Sequence, residues 1–137
     1  MENIIKIGVG LYIFNEKNQL LLGLRKSSHG GGTWCPPGGH LEYGESFEQA
    51  ACREAKEETS LVISEKNVSV CGVTNDFFAE THKHYVTIHL ITRHFSGTPH
   101  VCEHLKCVEW RWYDLDNLPP NLFLPVAHFL ENPSFKL

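Results

Sequence analysis

The sequence contains no apolar run that approaches the roughly 20 residues of a membrane span, so we expect no membrane partner. Its first residues lead directly into strand-like sequence without the apolar segment of a signal peptide, and we therefore expect a cytoplasmic protein. None of its five cysteines forms a Cys-x-x-Cys pair. Their odd number also disfavours a disulfide framework.

Positive charge is scarce as well. Twelve lysine and arginine residues stand against 16 aspartate and glutamate residues, and no segment forms a basic stripe. Binding to a DNA or RNA polymer depends on neutralising phosphates, so that function is disfavoured. A small anionic substrate stays compatible, because a metal site adds local positive charge that the net charge of −4 does not reveal. The 137 residues are predicted to form one domain, 1–137.

Apolar alternation and turn signals predict several strands joined by short loops. Gly8 and Gly10 inside the first strand indicate a bulge or a close backbone approach. Ser46 and Gln49 form a capping-box pattern, which predicts a helix that ends near Ser60. The predicted strands are 4–14, 19–25, 68–79, 85–95 and 108–113, the predicted loops are 27–33, 34–40, 80–83 and 99–107, and a terminal helix is predicted at 124–131. This order favours a mixed α and β fold, an α/β/α sandwich with a mixed central β-sheet.

Three glutamates, Glu54, Glu57 and Glu58, lie where the first helix should be apolar. At about 100° per residue they share one stripe with the core candidates Phe47, Ala50, Ala51 and Leu61. The solvated side is predicted to carry Glu48, Gln49, Arg53, Lys56, Thr59 and Ser60. Clustered acids repel one another, and their burial costs free energy unless a cation neutralises them. Converging oxygen ligands suit a hard divalent ion such as Mg²⁺, with Mn²⁺ as the alternative.

The segment that contains these acids resembles the Nudix box. That motif runs Gly, five residues, Glu, seven residues, then Arg-Glu-apolar-any-Glu-Glu-any-Gly-apolar. The matching residues here are Gly39, Glu45, Arg53, Glu54, Ala55, Glu57, Glu58 and Leu61. The chain departs from the motif at Ser60, where the pattern has Gly, and at Ala55, where a larger aliphatic residue is usual. The resemblance covers most of the chain and implies the Nudix fold.

The resemblance also implies roles for the box residues. Glu54, Glu57 and Glu58 match family positions that bind metal, and Glu54 is a candidate general base. The carbonyl of Gly39 matches a further metal ligand. Family members often supply another carboxylate from a late loop, where Glu103 is the best-placed candidate.

A salt bridge from Arg53 is implied to orient the catalytic carboxylates, with Glu45 close in register. The alternative is that Arg53 and Glu45 form an ordinary surface ion pair.

Substrate-binding residues are less specific in their pattern. Gly38 lets the backbone approach a ligand closely, and His40 either contacts phosphate or base or is simply hydrogen-bonded in place. Arg25 either reaches the phosphates or is an exposed cation at a strand end. A nucleobase needs an apolar, aromatic pocket. The candidate walls, each of which is alternatively a core residue, are Trp34, Phe77, Phe123 and Leu124.

The resemblance is strongest to the MutT-like small nucleoside-triphosphate diphosphatases. It implies a Mg²⁺-dependent enzyme that releases nucleoside monophosphate and pyrophosphate from ordinary or oxidised nucleotides. The alternatives are a nucleoside-diphosphate-sugar pyrophosphatase of the ADP-ribose type and a non-catalytic nucleotide sensor. It also implies a homodimer, and strands within 77–95 are candidates to pair across a two-fold axis.

Overall fold

Seven strands and two α-helices make up the regular structure of the described residues, which in this computed structural model are 3–132, 134 and 137. The elements are β1 (Ile5–Ile13), β2 (Gln19–Arg25), β3 (Trp34–Cys35), β4 (Gly38–His40), α1 (Phe47–Thr59), β5 (Ser69–Phe78), β6 (Lys83–Thr92), β7 (Cys107–Asp114) and α2 (Leu124–Glu131), with a 3-10 turn at Glu65–Asn67. No described helix has the length and apolar character needed to cross a membrane. The expectation that no signal peptide is present was drawn from the first residues of the sequence, and residues 1 and 2 lie outside the described residues.

The strands form two sheets. One has four strands in the order β4-β1-β6-β5, in which β1 and β6 run parallel and the outer pairs run antiparallel, so the predicted mixed sheet is confirmed. The other is an antiparallel sheet in the order β3-β2-β7, which the sequence did not separate from the first. Residues 34–40, predicted as a loop, instead contribute the two short strands β3 and β4.

The two helices pack on opposite faces of the mixed sheet. Val9 and Leu11 of β1 share one core cluster with the alanines of α1. Tyr12 of β1 packs in the other cluster, where its ring lies 4.9 Å from that of Phe129 in α2. Because side chains alternate between the faces of a strand, odd and even residues of β1 serve different helices. The predicted sandwich is therefore confirmed.

Helix α1 begins as its capping box predicts. The backbone N–H of Gln49 donates to the Ser46 hydroxyl, and the Gln49 side chain accepts from the Ser46 N–H. The helix ends at Thr59, and its C-cap Ser60 has a φ of 68°, in the left-handed region that glycine adopts most readily. Two predictions for the helix were wrong, because the sequence placed Phe47 in the core and Thr59 on the solvated side. Phe47 is 38% exposed in the uncovered first turn, and Thr59 is fully buried, its hydroxyl donating to the Ala55 carbonyl.

Other differences concern strand ends and the glycines of β1. Strand β6 begins and ends earlier than the predicted 85–95, because Lys83 and Thr92 are its terminal paired residues. The register between β1 and β6 is unbroken along the whole of β1, so Gly8 and Gly10 do not mark a bulge. Because neither glycine has a side chain, they instead leave space on this face of the sheet, where a cavity lies.

Candidate functional site

A cavity of about 520 Å³ lies on the α2 side of the mixed sheet. Its floor is formed by β1 and β6. One wall is formed by β4 together with the side chains of α1 that reach the cavity. A volume of this size is typical of small-molecule sites. The sequence-predicted residues that line it are Arg25, Gly38, Gly39, His40, Glu54, Glu58, Glu103 and Phe123. The tertiary structure thus brings together in one place residues from five separate parts of the chain.

The paired glycines of β4 permit close packing around this cavity. A Cβ atom on Gly38 would overlap the carbonyl oxygen of Val9 on β1, and one on Gly39 would overlap the carboxylate of Glu54. The backbone overlap at Gly38 means that only glycine allows β4 to pair so closely with β1 at that position, and Gly39 makes room for the Glu54 carboxylate of α1. The consequence is that the Glu54 side chain contacts the β4 backbone directly.

Arg53 holds several acidic groups in place. Its Nε lies 2.6 Å from Oε2 of Glu45 and its Nη2 lies 2.9 Å from Oε1, which is a bidentate pair. Its Nη1 donates to Glu54 at 2.6 Å, and Nη2 also donates to the His40 carbonyl at 3.0 Å. The hydrogen bond from Arg53 lowers the pKa of Glu45. Arg53 and Glu45 lie beside the cavity and fix the orientation of Glu54.

Glu54 and Glu58 are one helical turn apart, and both reach the cavity. Burial raises the pKa of Glu54, although the Arg53 guanidinium opposes this shift. Burial also raises the pKa of Glu58 to about 8. The Gly38 N–H, which donates to Glu58 Oε1 at 3.0 Å, opposes the rise, and the negative charges of Glu54 and Glu103 add to it. Two neighbouring carboxyl groups therefore meet at a place where negative charge is poorly compensated.

Glu103 reaches the cavity because its loop is tied to the end of α1. The His100 N–H donates to the Thr59 carbonyl at 2.9 Å, and the Cys102 N–H donates to the Glu58 carbonyl at 3.3 Å. The Glu103 carboxylate lies 3.6 Å from the Lys106 ammonium and is about one-third exposed. Backbone pairing thus brings a residue that is remote in sequence beside the Glu58 carboxyl.

Glu57 occupies a different place from its two neighbours in the motif. Its side chain is 52% exposed and lies 3.4 Å from Arg53 Nη1, outside the lining of the cavity. Among the described residues, no three His, Cys, Asp or Glu side chains already converge as they would around an ion. The donor set still fits a hard divalent cation, because Glu54, Glu58 and Glu103 offer only oxygen atoms and line the same cavity beside the Gly39 backbone.

An aromatic wall stands at the other end of the cavity. The ring of His29 lies 4.3 Å from that of Phe78 and 5.7 Å from those of Tyr85 and Phe123. Arg25 stacks over Phe123 at 4.1 Å, and the His29 carbonyl accepts from its guanidinium at 2.9 and 3.1 Å. Burial lowers the pKa of His29 to about 4, and the positive charge of Arg25 is the second cause of this shift. The wall therefore presents an uncharged imidazole at neutral pH.

His40 belongs to the same wall. Its ring stacks on Tyr85 at 5.5 Å with an interplanar angle of 5°, and its Nε2 lies 2.9 Å from the Tyr85 hydroxyl. Burial lowers its pKa, and the charges of Lys6, Lys83 and Lys106 add to the effect. The nearby ammonium groups make this end of the cavity a favourable place for an anion.

Three of the proposed pocket walls lie elsewhere among the described residues, because the cavity lining does not include Trp34, Phe77 or Leu124. Trp34 is buried in the core against Tyr113, and its backbone pairs with the segment that precedes Phe123. Phe77 is 56% exposed, because Asp76 and Phe78 take the cavity side of β5. Leu124 begins α2 and is partly buried outside the cavity.

Sequence reasoning also missed residues that line the cavity. Phe78 and Tyr85 were missed because the alternation of β5 and β6 does not reveal which face is which. His29 was missed because it lies in a glycine-rich loop with no regular pattern. Thr87, Lys83 and Lys106 also line the cavity and were also missed. The glycines at 8 and 10 were the one available signal that this face is open.

The chain is similar to several known proteins. A family model described as the NUDIX domain matches residues 5–132. The chain is 28% identical over 110 residues to an oxidized purine nucleoside triphosphate hydrolase of Danio rerio, covering 80% of this chain and 67% of that protein. It is 34% identical over 111 residues to an ADP-ribose pyrophosphatase of Methanocaldococcus jannaschii, covering 81% of this chain and 63% of that protein.

A solved structure is also similar. The MutT NUDIX hydrolase from Burkholderia pseudomallei superposes with a TM-score of 0.80 at 30% sequence identity, and the match covers 87% of this chain and 90% of that one. By contrast, the chain spans only about two-thirds of the length of the two curated relatives, 67% and 63%.

Proposed function

The chain belongs to the NUDIX domain family, and on that premise we propose that it is a Mg²⁺-dependent hydrolase of nucleoside triphosphates. It would cut between the α and β phosphates and release nucleoside monophosphate and pyrophosphate. Ordinary and oxidised purine nucleotides are the leading substrates, and the similarity to the Danio rerio hydrolase supports this class. Mn²⁺ would substitute for Mg²⁺, since both accept oxygen ligands.

One observation carries the proposal. Glu54 and Glu58 meet in the cavity beside the Gly39 backbone, and the pKa of Glu58 is raised to about 8 because its charge is buried. These two carboxylates, with Glu103 and the Gly39 carbonyl, would hold the cation, and Glu57 would join from the rim. A bound divalent cation supplies electrostatic stabilisation of charge on the phosphate oxygens. Glu54, held by Arg53, is the candidate base for the attacking water.

The other end of the cavity suits the rest of a nucleotide. Arg25 and Lys83 line the cavity, as does Lys106 beside Glu103, and the three side chains carry the positive charge that phosphates require. The rings of His29 and Phe123 also line the cavity and offer apolar surface to a base. The chain's own residues would thus position the phosphates and the base while the carboxylates act at the reacting bond.

Turnover tests the proposal directly. Purified protein is incubated with a panel of nucleoside triphosphates, with Mg²⁺, with Mn²⁺ and with excess chelator, and the products are separated by chromatography. We expect monophosphate and pyrophosphate in the presence of either metal, and added Mg²⁺ should also raise the melting temperature. Full activity in excess chelator would contradict the metal site, and absence of turnover on every substrate would favour a sensor.

A second candidate is hydrolysis of ADP-ribose, which the 34% identity to the Methanocaldococcus jannaschii pyrophosphatase favours. The same cavity and carboxylates would serve it, because the bond that is cut is again a phosphoanhydride. Products separate the two candidates: AMP with ribose 5-phosphate indicates a sugar nucleotide, and pyrophosphate indicates a triphosphate. The kcat/KM values for the two substrates, measured on one preparation, decide between them.

A further inference from the structure

A buried carboxylate that the proposed reaction does not use lies beneath the cavity. Asp76 of β5 is fully buried, yet both of its oxygens are engaged. The hydroxyls of Thr74 and Thr87 donate to Oδ2 at 2.9 and 2.6 Å, and Nδ1 of His128 in α2 lies 2.8 Å from Oδ1. A buried polar group without partners is costly, and these contacts satisfy both oxygens of Asp76. A hydroxyl has one proton, so each threonine donates its only proton to Oδ2 of Asp76.

This constraint sets the direction of the neighbouring hydrogen bonds. Because the Thr74 proton points to Asp76, the Thr74 oxygen can only accept from Nε2 of His89, 2.8 Å away. Burial lowers the pKa of His89 to about 4, so at neutral pH the ring carries one proton, and that proton must be on Nε2. Its Nδ1 is then an acceptor, and the Tyr12 hydroxyl donates to it at 3.0 Å. The proton positions of the network therefore follow from the two hydroxyl groups that donate to Oδ2 of Asp76.

Thr87 is the member of this network that a ligand can reach. It lines the cavity and is 7% exposed, whereas Tyr12 and His89 are at most 1% exposed and form the wall behind it. Gly8 lies next to it on β1, and a Cβ atom added there would be 3.7 Å from the Thr87 hydroxyl oxygen. The missing side chain of Gly8 therefore leaves the approach to this oxygen open.

We propose that Asp76, by fixing the Thr87 proton, makes the Thr87 oxygen an obligatory hydrogen-bond acceptor and selects substrates whose base presents an exocyclic amino group to the cavity floor. The inference rests on the proposed function in taking a nucleotide as the ligand. The amino group is the donor that projects furthest from a base, which suits an oxygen recessed at the floor. A base with a carbonyl or with no substituent there leaves the oxygen unpaired, which weakens binding.

Matched nucleotide pairs test this specificity. ATP is compared with purine riboside triphosphate, which lacks only the 6-amino group, and GTP with inosine triphosphate, which lacks only the 2-amino group. We expect kcat/KM to favour the amino-bearing member of one pair by at least about tenfold. Calorimetry with the corresponding monophosphates, in the absence of metal, measures the same preference without hydrolysis.

Variants then assign the preference to the network. Thr87→Val should bring the ratio close to one, and Thr87→Ser should restore it. Asp76→Asn keeps the shape but supplies an N–H donor, which frees a threonine proton, so the ratio should fall or invert. Thr92→Val is the control on the same strand, since the Thr92 hydroxyl donates to the Asn67 carbonyl and is absent from the cavity lining. Circular dichroism and melting temperature verify the fold of each variant.

The outcomes separate the two proposals. Turnover or monophosphate binding with a ratio near one in the unmodified protein overturns this inference and leaves the proposed function intact. An unchanged ratio in folded Thr87→Val also overturns it. If Asp76→Asn does not fold, the contrast between Thr87→Val and Thr87→Ser still decides. Absence of both turnover and nucleotide binding overturns the proposed function and this inference together.

Discussion

Gly39 lies so close to Glu54 that a Cβ atom on the glycine would overlap the carboxylate of the glutamate. The two residues are 15 positions apart, and they meet because β4 pairs with β1 while α1 packs beneath the same sheet. The glycine and the spaced glutamates of the motif are therefore residues that pack against each other in the folded chain. This packing places a bare stretch of backbone beside the carboxyl groups.

Gly39→Ala should separate activity from stability. The methyl group would collide with the end of a flexible side chain, which turns away at little cost to the fold, but the Glu54 carboxylate would lose its position. We expect turnover to fall roughly 10²-fold or more with a change in melting temperature of only about a few degrees. Gly10→Ala is the stability control, because its Cβ would make an ordinary 3.7 Å contact with Pro36. A large loss of stability only in Gly39→Ala would contradict this explanation.

Glu58→Gln should remove a specific pH dependence of the metal-free protein. Unfolded Glu58 ionises near 4.5, whereas burial raises the folded pKa to about 8. Between these values the folded state binds more protons than the unfolded state, so the free energy of unfolding falls as pH rises. The stability gained by Glu58→Gln should therefore grow from about pH 4.5 to about pH 8 and then level off, as measured by urea unfolding.

The comparison with the parent protein isolates Glu58. Protonation of the half-buried His29 and the buried His89 also affects stability, but it is common to both proteins and cancels in the difference. Glu48→Gln is the control, because Glu48 lies on α1 outside the cavity lining, and it should change neither turnover nor the pH profile much. Turnover of Glu58→Gln should fall by orders of magnitude. Equal activities of the two variants would remove Glu58 from the site.

Arg53→Lys should impair turnover although the charge is kept. The guanidinium bonds Glu45 in a bidentate manner and reaches Glu54 and the His40 carbonyl at the same time, and a lysine ammonium cannot span these positions. We expect kcat to fall roughly 10²-fold with KM little changed, because the orientation of Glu54 is lost. Lys56→Ala, on the exposed side of the same helix, is the control. A higher KM with unchanged kcat would indicate that Arg53 serves binding instead.

A homodimer is our proposal for the solution state. Strand β5 is an edge of the mixed sheet among the described residues, and its Val73 and Phe77 side chains are 48% and 56% exposed. Light scattering at micromolar concentration should give twice the 15.6 kDa of one chain. Phe77→Lys should shift the mass towards the monomer, while Val108→Lys, at a comparably exposed position on β7, should not. A mass of 15.6 kDa for the unmodified protein would contradict the dimer.

Local sequence was sufficient for the features of α1. Its start at Ser46, its capping box with Gln49 and the phase of Glu54 and Glu58 follow from a period of 3.6 residues and from short-range hydrogen bonds. Strand β2 and helix α2 also have the predicted ends. These elements are set by neighbours along the chain, so a sequence pattern is enough to identify them.

Only the tertiary structure decided which residues share the cavity. Phe78 rather than Phe77 faces it, because the pairing of β5 with β6 determines which side of the strand lies under α2. Glu103 reaches it through backbone bonds to the end of α1, and the proton of Thr87 is directed by Asp76 from the adjacent strand. The order of residues along the chain determined helix α1 and its row of glutamates, whereas the lining of the cavity depends on contacts between distant segments, which no local period encodes.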